Sequence, residues 1–222
     1  APVYAVLTAS AAANATSITV SALNAQVTSG STAYFYADIF LIGNNATQMY
    51  RYNITSNAWT TTSANSGTPA LASLPAAAGA GCNIFWLPGS GEANALDRLI
   101  VLRGTATGTI YEYSLTGNTV STVTYYPFTE TFNTGTASCV RSSNTTGKKT
   151  KILIQKDATG RISQFDRNLL TMVPQCTQGL IAPGNATVGN KMCCLWDPTN
   201  SVEYCYTLLN TSSYFLRTGL FF

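Results

Sequence analysis

Residues 98–123, with the sequence RLIVLRGTATGTIYEYSLTGNTVSTV, are the stretch that decides the fold. An apolar run at 99–102 ends at Gly104, an aromatic run follows at 110–113, and the chain turns again at Gly117-Asn118. β-Branched and aromatic runs separated by Gly and Asn are typical of antiparallel strands joined by tight turns. The stretch therefore predicts a three-stranded antiparallel meander.

The same arrangement recurs along the chain and predicts four β units, centred on 34–60, 98–124, 151–174 and 191–217. The aromatic residues that end the middle strands are spaced 61, 52 and 41 residues apart; they are Tyr52, Tyr113, Phe165 and Tyr206. A meander of three or four strands cannot bury both of its faces alone. We therefore expect the units to stack face to face in a ring or an array.

The composition points to the same fold class. Only 9% of the residues are charged, against roughly 25% in ordinary soluble domains, and the chain has 12 Tyr, 9 Phe and no His. Thr, Tyr, Val, Ile and Phe favour strands, whereas the helix formers Glu, Lys and Gln are scarce. We predict an all-β fold with little or no long helix. The alternative architecture is a β-sandwich or jelly roll whose hairpins are alike by coincidence.

The first unit resembles a kelch repeat of the β-propeller type in the stretch Phe40-Leu41-Ile42-Gly43-Asn44, in Tyr52 and in Trp59 seven residues later. The resemblance implies a kelch-like β-propeller of about four blades over about 34–217. Such repeats are similar to those of tailed-bacteriophage virion proteins. The family's glycine pair is Gly43-Asn44 here and Arg103-Gly104 in the second unit, and only the first unit has the Trp. We expect Trp59 to lie in the core.

The chain divides into an N-terminal segment, 1–33, and a repeated β-meander domain, 34–222. Residues 1–33 are interpreted as an arm or as a closing strand that completes the last unit, and the Thr- and Ala-rich loop 61–81 as a mobile or docked excursion. No run approaches the roughly 18 apolar residues of a membrane span, and the first residues have no signal-type apolar run.

The sequence offers little catalytic chemistry. Without His, the Ser-His and Cys-His nucleophile pairs and imidazole metal sites are excluded from the chain. We interpret Asp157 and Asp197 as turn residues, and Glu112 and Glu203 as exposed positions of alternating strands. A catalytic carboxylate pair is the remaining alternative. We expect no enzyme activity and no cofactor.

One segment concentrates positive charge. Seven of the twelve basic residues form a predicted interaction patch, consisting of Arg141, Lys148, Lys149, Lys151, Lys156, Arg161 and Arg167. The segment carries about +5 and the remainder of the chain about −2, counted from the same sequence. The patch is interpreted as an edge strand guarded by lysines, as a contact for an acidic protein surface, or, least favoured, as a nucleic-acid contact.

The six cysteines allow fifteen disulfide pairings. A hairpin with the three-residue loop 198–200 would place Cys193 opposite Cys205, within reach of a disulfide. The alternative is that the thiols are small, buried, reduced residues. A zinc site is not expected, because the sequence has neither a CxxC pair nor His.

Low charge and many hydroxyl side chains suit a surface that neighbouring subunits cover. Together with the kelch-like array, this composition is similar to that of tailed-bacteriophage virion components. The resemblance implies a virion structural protein, in the tail, neck, collar or decoration. It would assemble in the host cytoplasm with other virion proteins and with copies of itself, and neither a membrane nor a nucleic acid is expected as a partner. The alternatives are a secreted carbohydrate-binding propeller, or lectin, and an extracellular propeller enzyme.

Overall fold

The computed structural model describes residues 18–21, 38–43, 45–53, 58–60, 71–87, 98–115, 117–127, 130–133, 136–141, 151–155, 161–177, 191–208 and 215–220. These residues form strands and connecting turns, with no helix among them. Accordingly, no described helix is long and apolar enough to cross a membrane. The strands are β1 (Ile18–Ser21), β2 (Asp38–Gly43), β3 (Met49–Asn53), β4 (Ala58–Thr60), β5 (Asn83–Leu87), β6 (Arg98–Leu102), β7 (Ile110–Ser114), β8 (Thr119–Val123), β9 (Tyr126–Pro127), β10 (Ala137–Val140), β11 (Lys151–Gln155), β12 (Arg161–Asp166), β13 (Thr171–Thr177), β14 (Lys191–Asp197), β15 (Val202–Leu208) and β16 (Phe215–Leu220).

The strands form four sheets in chain order. The first sheet is β1-β2-β3-β4, the second β5-β6-β7-β8, the third β10-β11-β12-β13-β9 and the fourth β14-β15-β16. All pairings are antiparallel except that of β9 with β13. The all-β prediction is confirmed, and each predicted unit contains three consecutive antiparallel strands. The sequence analysis missed β5 and β10, which are the first strands of the second and third sheets.

Successive sheets bury their faces against one another. The first and second sheets enclose one apolar cluster, to which β2 and β3 contribute Phe40, Ile42 and Met49, and β6 contributes Leu99 and Val101. The alternate residues of β6, Ile100 and Leu102, lie in a second cluster with Ile152, Ile154 and Phe165 of the third sheet. The second sheet is therefore covered on both faces.

The third and fourth sheets meet in a smaller cluster with a different composition. It contains Leu153 and Ile162 of the third sheet, together with Cys139, Cys194 and Cys205. Leu153 alternates with Ile152 and Ile154, so β11 also has both faces buried. The first strands of successive sheets are also in contact: β1 contacts β5, β5 contacts β10, and β10 contacts β14. The four sheets therefore follow one another in space in the order of the chain.

The structure places parts of the N-terminal segment 1–33 and of the loop 61–81. Of residues 1–33, Ile18–Ser21 forms β1 and pairs with β2, so this part joins the first sheet; the rest lies outside the described residues. In the loop predicted for 61–81, the described part is docked: the backbone N–H of Leu74 donates to the carbonyl of Thr47 at 2.8 Å. Trp59 pairs with Tyr52 in the backbone register, but its side chain lies outside what the structure describes.

One turn type recurs in three of the four sheets. Four residues separate Ser114 from its partner Thr119, and the same number separates Asp166 from Thr171 and Asp197 from Val202. The side-chain oxygen that precedes each loop accepts hydrogen bonds from loop N–H groups. The last loop residue is left-handed in every case; these residues are Asn118, Leu170 and Ser201, with φ of 48°, 52° and 53°. The capping side chain therefore fixes the loop length.

The backbone of Gly81 lies so close to the backbone of Asn133 that a side chain at position 81 is expected to destabilise the fold. Gly81 has φ of +82°, and a Cβ there would lie 2.1 Å from the backbone oxygen of Asn133. We expect Gly81→Ala to lower the free energy of unfolding by roughly 1–3 kcal/mol, because backbone atoms cannot move aside cheaply. Gly117→Ala is the matched control, since its Cβ would lie 3.3 Å from the Ser114 side chain. Urea unfolding of both variants measures the difference, and equal stabilities would contradict the prediction.

Candidate interaction surface

The predicted basic patch is largely engaged in ion pairs within the molecule. Its four described members each contact a carboxylate: Arg141 pairs with Glu203, Lys151 with Asp166, Arg161 with Glu130 and Arg167 with Glu112. Lys148, Lys149 and Lys156 lie outside the described residues. Arg141 is buried, so its inclusion in an interaction patch is corrected; for the other members the patch stays a prediction.

The Arg141–Glu203 pair joins the third sheet to the fourth. The Nε of Arg141 donates to Oε2 of Glu203 at 2.6 Å, and its Nη1 donates to Oε1 of Gln164 on β12 at 2.9 Å. The two charged side chains are 1% and 0% exposed. Removing one partner of such a pair lowers the stability of the fold strongly, because the remaining charge stays buried.

A second ion pair joins the second sheet to the third. Arg167, in the turn after β12, donates through Nε and Nη2 to both carboxylate oxygens of Glu112 on β7, at 2.6 and 3.0 Å. Arg98 contacts the same carboxylate. Burial, and then the positive charge of Arg167, lower the pKa of Arg98 below its ordinary value. The two-point geometry fixes the relative position of the two sheets more tightly than a single contact would.

The interpretation of Glu112 and Glu203 as exposed strand positions is wrong. Both are buried. Alternation predicts exposure only when one face of a sheet meets water, whereas the second sheet is covered on both faces and Glu203 faces the third sheet. The sequence did contain a signal for this burial. Each glutamate stands alone among the apolar and aromatic residues of its strand, and arginines elsewhere in the chain could pair with it.

The predicted disulfide between Cys193 and Cys205 does not fit the hairpin register. Cys193 lies opposite Tyr206, and Cys205 lies opposite Cys194. The loop has four residues rather than three, because the Asp197 carboxylate accepts hydrogen bonds from the N–H groups of Thr199 and Asn200. Consequently Cys193 is on the opposite face of the sheet from Cys205, and both are free thiols.

Cys205 instead lies in a buried group of three thiols with Cys139 and Cys194. The Sγ atoms of Cys139 and Cys194 are 3.0 Å apart, across the junction of the third and fourth sheets. Hydrogen bonds from Cys139 and then from Cys194 lower the pKa of Cys205 below its ordinary value, although burial acts in the opposite direction. The sequence analysis missed this group, because Cys139 is 55 residues away from Cys194 in the chain.

The other side of the fourth sheet carries exposed apolar residues. We call it the outer face; its residues are Cys193, Leu195, Tyr204, Tyr206 and Leu208, which share one face by the strand register. Leu195 is 57% exposed and Leu208 49% exposed. The rings of Tyr204 and Tyr206 lie 6.4 Å apart, and the Arg217 guanidinium lies 4.9 Å from the centre of the Tyr204 ring. This apolar and aromatic surface is the candidate interaction surface.

The buried pair between the third and fourth sheets gives a direct stability prediction. We expect Arg141→Met to lower the free energy of unfolding by about 3–5 kcal/mol, because it leaves the Glu203 carboxylate buried without its cation. Lys151→Met is the control. Lys151 pairs with Asp166 through a partly exposed side chain, and such pairs contribute about 1 kcal/mol or less.

Urea unfolding distinguishes the two variants. The double variant Arg141→Met with Glu203→Met should recover most of the loss, since it removes both charges. Equal destabilisation by Arg141→Met and Lys151→Met would show that the buried pair has no special role.

Comparisons with known proteins identify no family. No family model and no curated protein matches the chain. Among solved structures, it is similar to an auxiliary nutrient binding protein from Bacteroides thetaiotaomicron, with 12% identity and a TM-score of 0.48 over 82% of this chain and 35% of that one. It is also similar to a protein of unknown function from the same organism, with 10% identity and a TM-score of 0.47 over 86% and 40%. The chain thus spans less than half the length of either structure.

Proposed function

We propose that this chain is a non-enzymatic structural protein that acts through protein–protein assembly, as a component of a tailed-bacteriophage virion. The observation that supports it best is the combination of exposed apolar residues on the outer face with a surface poor in charge. The virion setting is drawn from the composition and the kelch-like pattern. The assembly role is drawn from the outer face.

The use of charge inside the molecule supports an assembly role. Four of the nine acidic residues, Glu112, Glu130, Asp166 and Glu203, are buried and engaged in ion pairs. Their partners are five of the twelve basic residues. The surface is therefore even less charged than the composition indicates, and a surface with few charges loses little solvation when a subunit covers it.

The stacking of the sheets supports the choice of partner. Each junction along the array buries the face of one sheet against the next. The outer face is the opposite face of the fourth sheet, on which Leu195 and Leu208 are exposed. We propose that the four sheets are blades of an open kelch-like array, and that a second copy of the chain covers the outer face. Exposed leucines and tyrosines on a sheet are suitable anchors for such a contact, because aromatic and apolar anchors dominate interface energies.

Assembly through the outer face can be tested by charge insertion. We expect the protein to self-associate with increasing concentration, and Leu195→Asp with Leu208→Asp to weaken that association by at least about tenfold, because two charges would be desolvated at the contact. Leu169→Asp is the matched control, since Leu169 is 70% exposed in the turn after β12 and away from the outer face. Sedimentation velocity over a concentration series measures the effect.

The contrary results are equally clear. A wild-type protein that stays monomeric at every concentration contradicts self-assembly. Equal weakening by Leu169→Asp would move the contact away from the outer face. Circular dichroism of each variant verifies that the fold is retained.

A second candidate function rests on the two neighbouring tyrosine rings of the outer face. Tyr204 and Tyr206, with Arg217 beside them, form an aromatic surface of the kind on which a sugar ring could stack, as in a secreted carbohydrate-binding protein. Binding on a glycan array by a monomeric protein, abolished by Tyr204→Ala, would favour this function over assembly. A blank array removes it.

A further inference from the structure

The three thiols at the junction of the third and fourth sheets converge on a common point. The Sγ atoms of Cys139, Cys194 and Cys205 all lie within 4.8 Å of one another, and all three residues are buried. They come from three strands: Cys139 from β10, Cys194 from β14 and Cys205 from β15. Cys194 and Cys205 are directly opposite in the hairpin, which holds two of the sulfurs side by side.

The spacing of the sulfurs suits a shared cation. Around a tetrahedral ion with metal–sulfur bonds of about 2.3 Å, neighbouring sulfurs are about 3.8 Å apart. The Cys139 and Cys194 sulfurs are 3.0 Å apart, which is closer than this value, and all three sulfurs lie within 4.8 Å of one another. The three sulfurs are therefore near enough to share one ion. A disulfide would use only two of the three sulfurs and would leave the third as a buried thiol, so it does not account for the convergence of all three.

The donor set decides which ions fit. The described group supplies sulfur alone, and the chain has no His that could add an imidazole ligand. Thiolate ligands select soft or borderline ions such as Cu(I) and Zn(II), whereas Mg²⁺ and Ca²⁺ require oxygen ligands. Because all three cysteines are buried, little water can compete for an ion there.

We propose that Cys139, Cys194 and Cys205 form a thiolate site for a closed-shell thiophilic cation, Zn(II) or Cu(I), which joins the third sheet to the fourth. On binding, each coordinating thiol gives its proton to solvent and donates a sulfur lone pair to the ion; no electron is transferred. The role is structural, because the site links strands of two sheets beside the Arg141–Glu203 pair. It is independent of the assembly proposed for the outer face.

The site can be tested on the reduced, full-length protein under anaerobic conditions. The protein is titrated with Zn(II) in competition with a colorimetric zinc chelator, and in a separate arm with Cu(I) in competition with a copper(I) chelator. We expect one of the two ions to bind at one per chain and to raise the unfolding temperature, because it binds only the folded state. The arm that shows binding identifies the ion.

Matched variants locate the binding. Cys194→Ser should weaken binding by about 100-fold or more, since even the loss of a partner outside the coordination shell costs about 10–100-fold. Cys193→Ser is the control, because Cys193 is the adjacent residue but lies exposed on the opposite face. It should bind as the wild type does.

A measurement on the wild-type protein covers the case in which Cys194→Ser does not fold. X-ray absorption of the loaded protein should show at least three sulfur neighbours around the ion. Coordination by oxygen or nitrogen alone overturns the proposal, as does failure of both ions to compete with the chelators. Binding that survives Cys194→Ser, or a disulfide between two of the three cysteines in protein purified without reductant, also overturns it.

Discussion

An antiparallel sheet of three or four strands has two faces, and neither can be left apolar in water unless another sheet covers it. The rest of this structure depends on that constraint. The second sheet meets it fully, since Leu99 and Val101 pack toward the first sheet while Ile100 and Leu102 pack toward the third. The fourth sheet meets it on the side that faces the third sheet, whereas Leu195 and Leu208 on its outer face are exposed.

The junctions between sheets differ in what holds them. The first contains aliphatic and aromatic side chains, and hydrophobic burial alone can account for it. The second adds the two-point contact of Arg167 with Glu112. The third has few large apolar residues and contains instead the Arg141–Glu203 pair and three cysteines. Hydrophobic burial is not directional, whereas a bidentate ion pair is, so the polar contacts add geometric specificity to the two later junctions.

The sequence predicted the strands of each meander well, because turn residues and aromatic runs are local signals. It missed β5, in which four consecutive apolar residues follow Asn83 without alternation, and β10, whose four residues carry little signal. It misjudged Glu112 and Glu203, since their burial depends on a sheet distant in sequence. The one-residue error in the last hairpin has a local cause: the Asp197 cap lengthens the loop, and a shift of one residue exchanges the face of every side chain.

The two unusual surfaces of the fourth sheet lie on opposite sides of the same two strands. Cys193 and Cys194 are adjacent in β14, yet one belongs to the outer face and the other to the buried thiols. The buried contact with the third sheet and the exposed outer face are therefore only one strand apart. Any interaction that fixes β14 and β15 against the third sheet also fixes the leucines and tyrosines of the outer face. Because a preformed surface loses less conformational entropy on binding, the polar junction and the sulfur cluster would favour the binding that is proposed for the outer face without touching it.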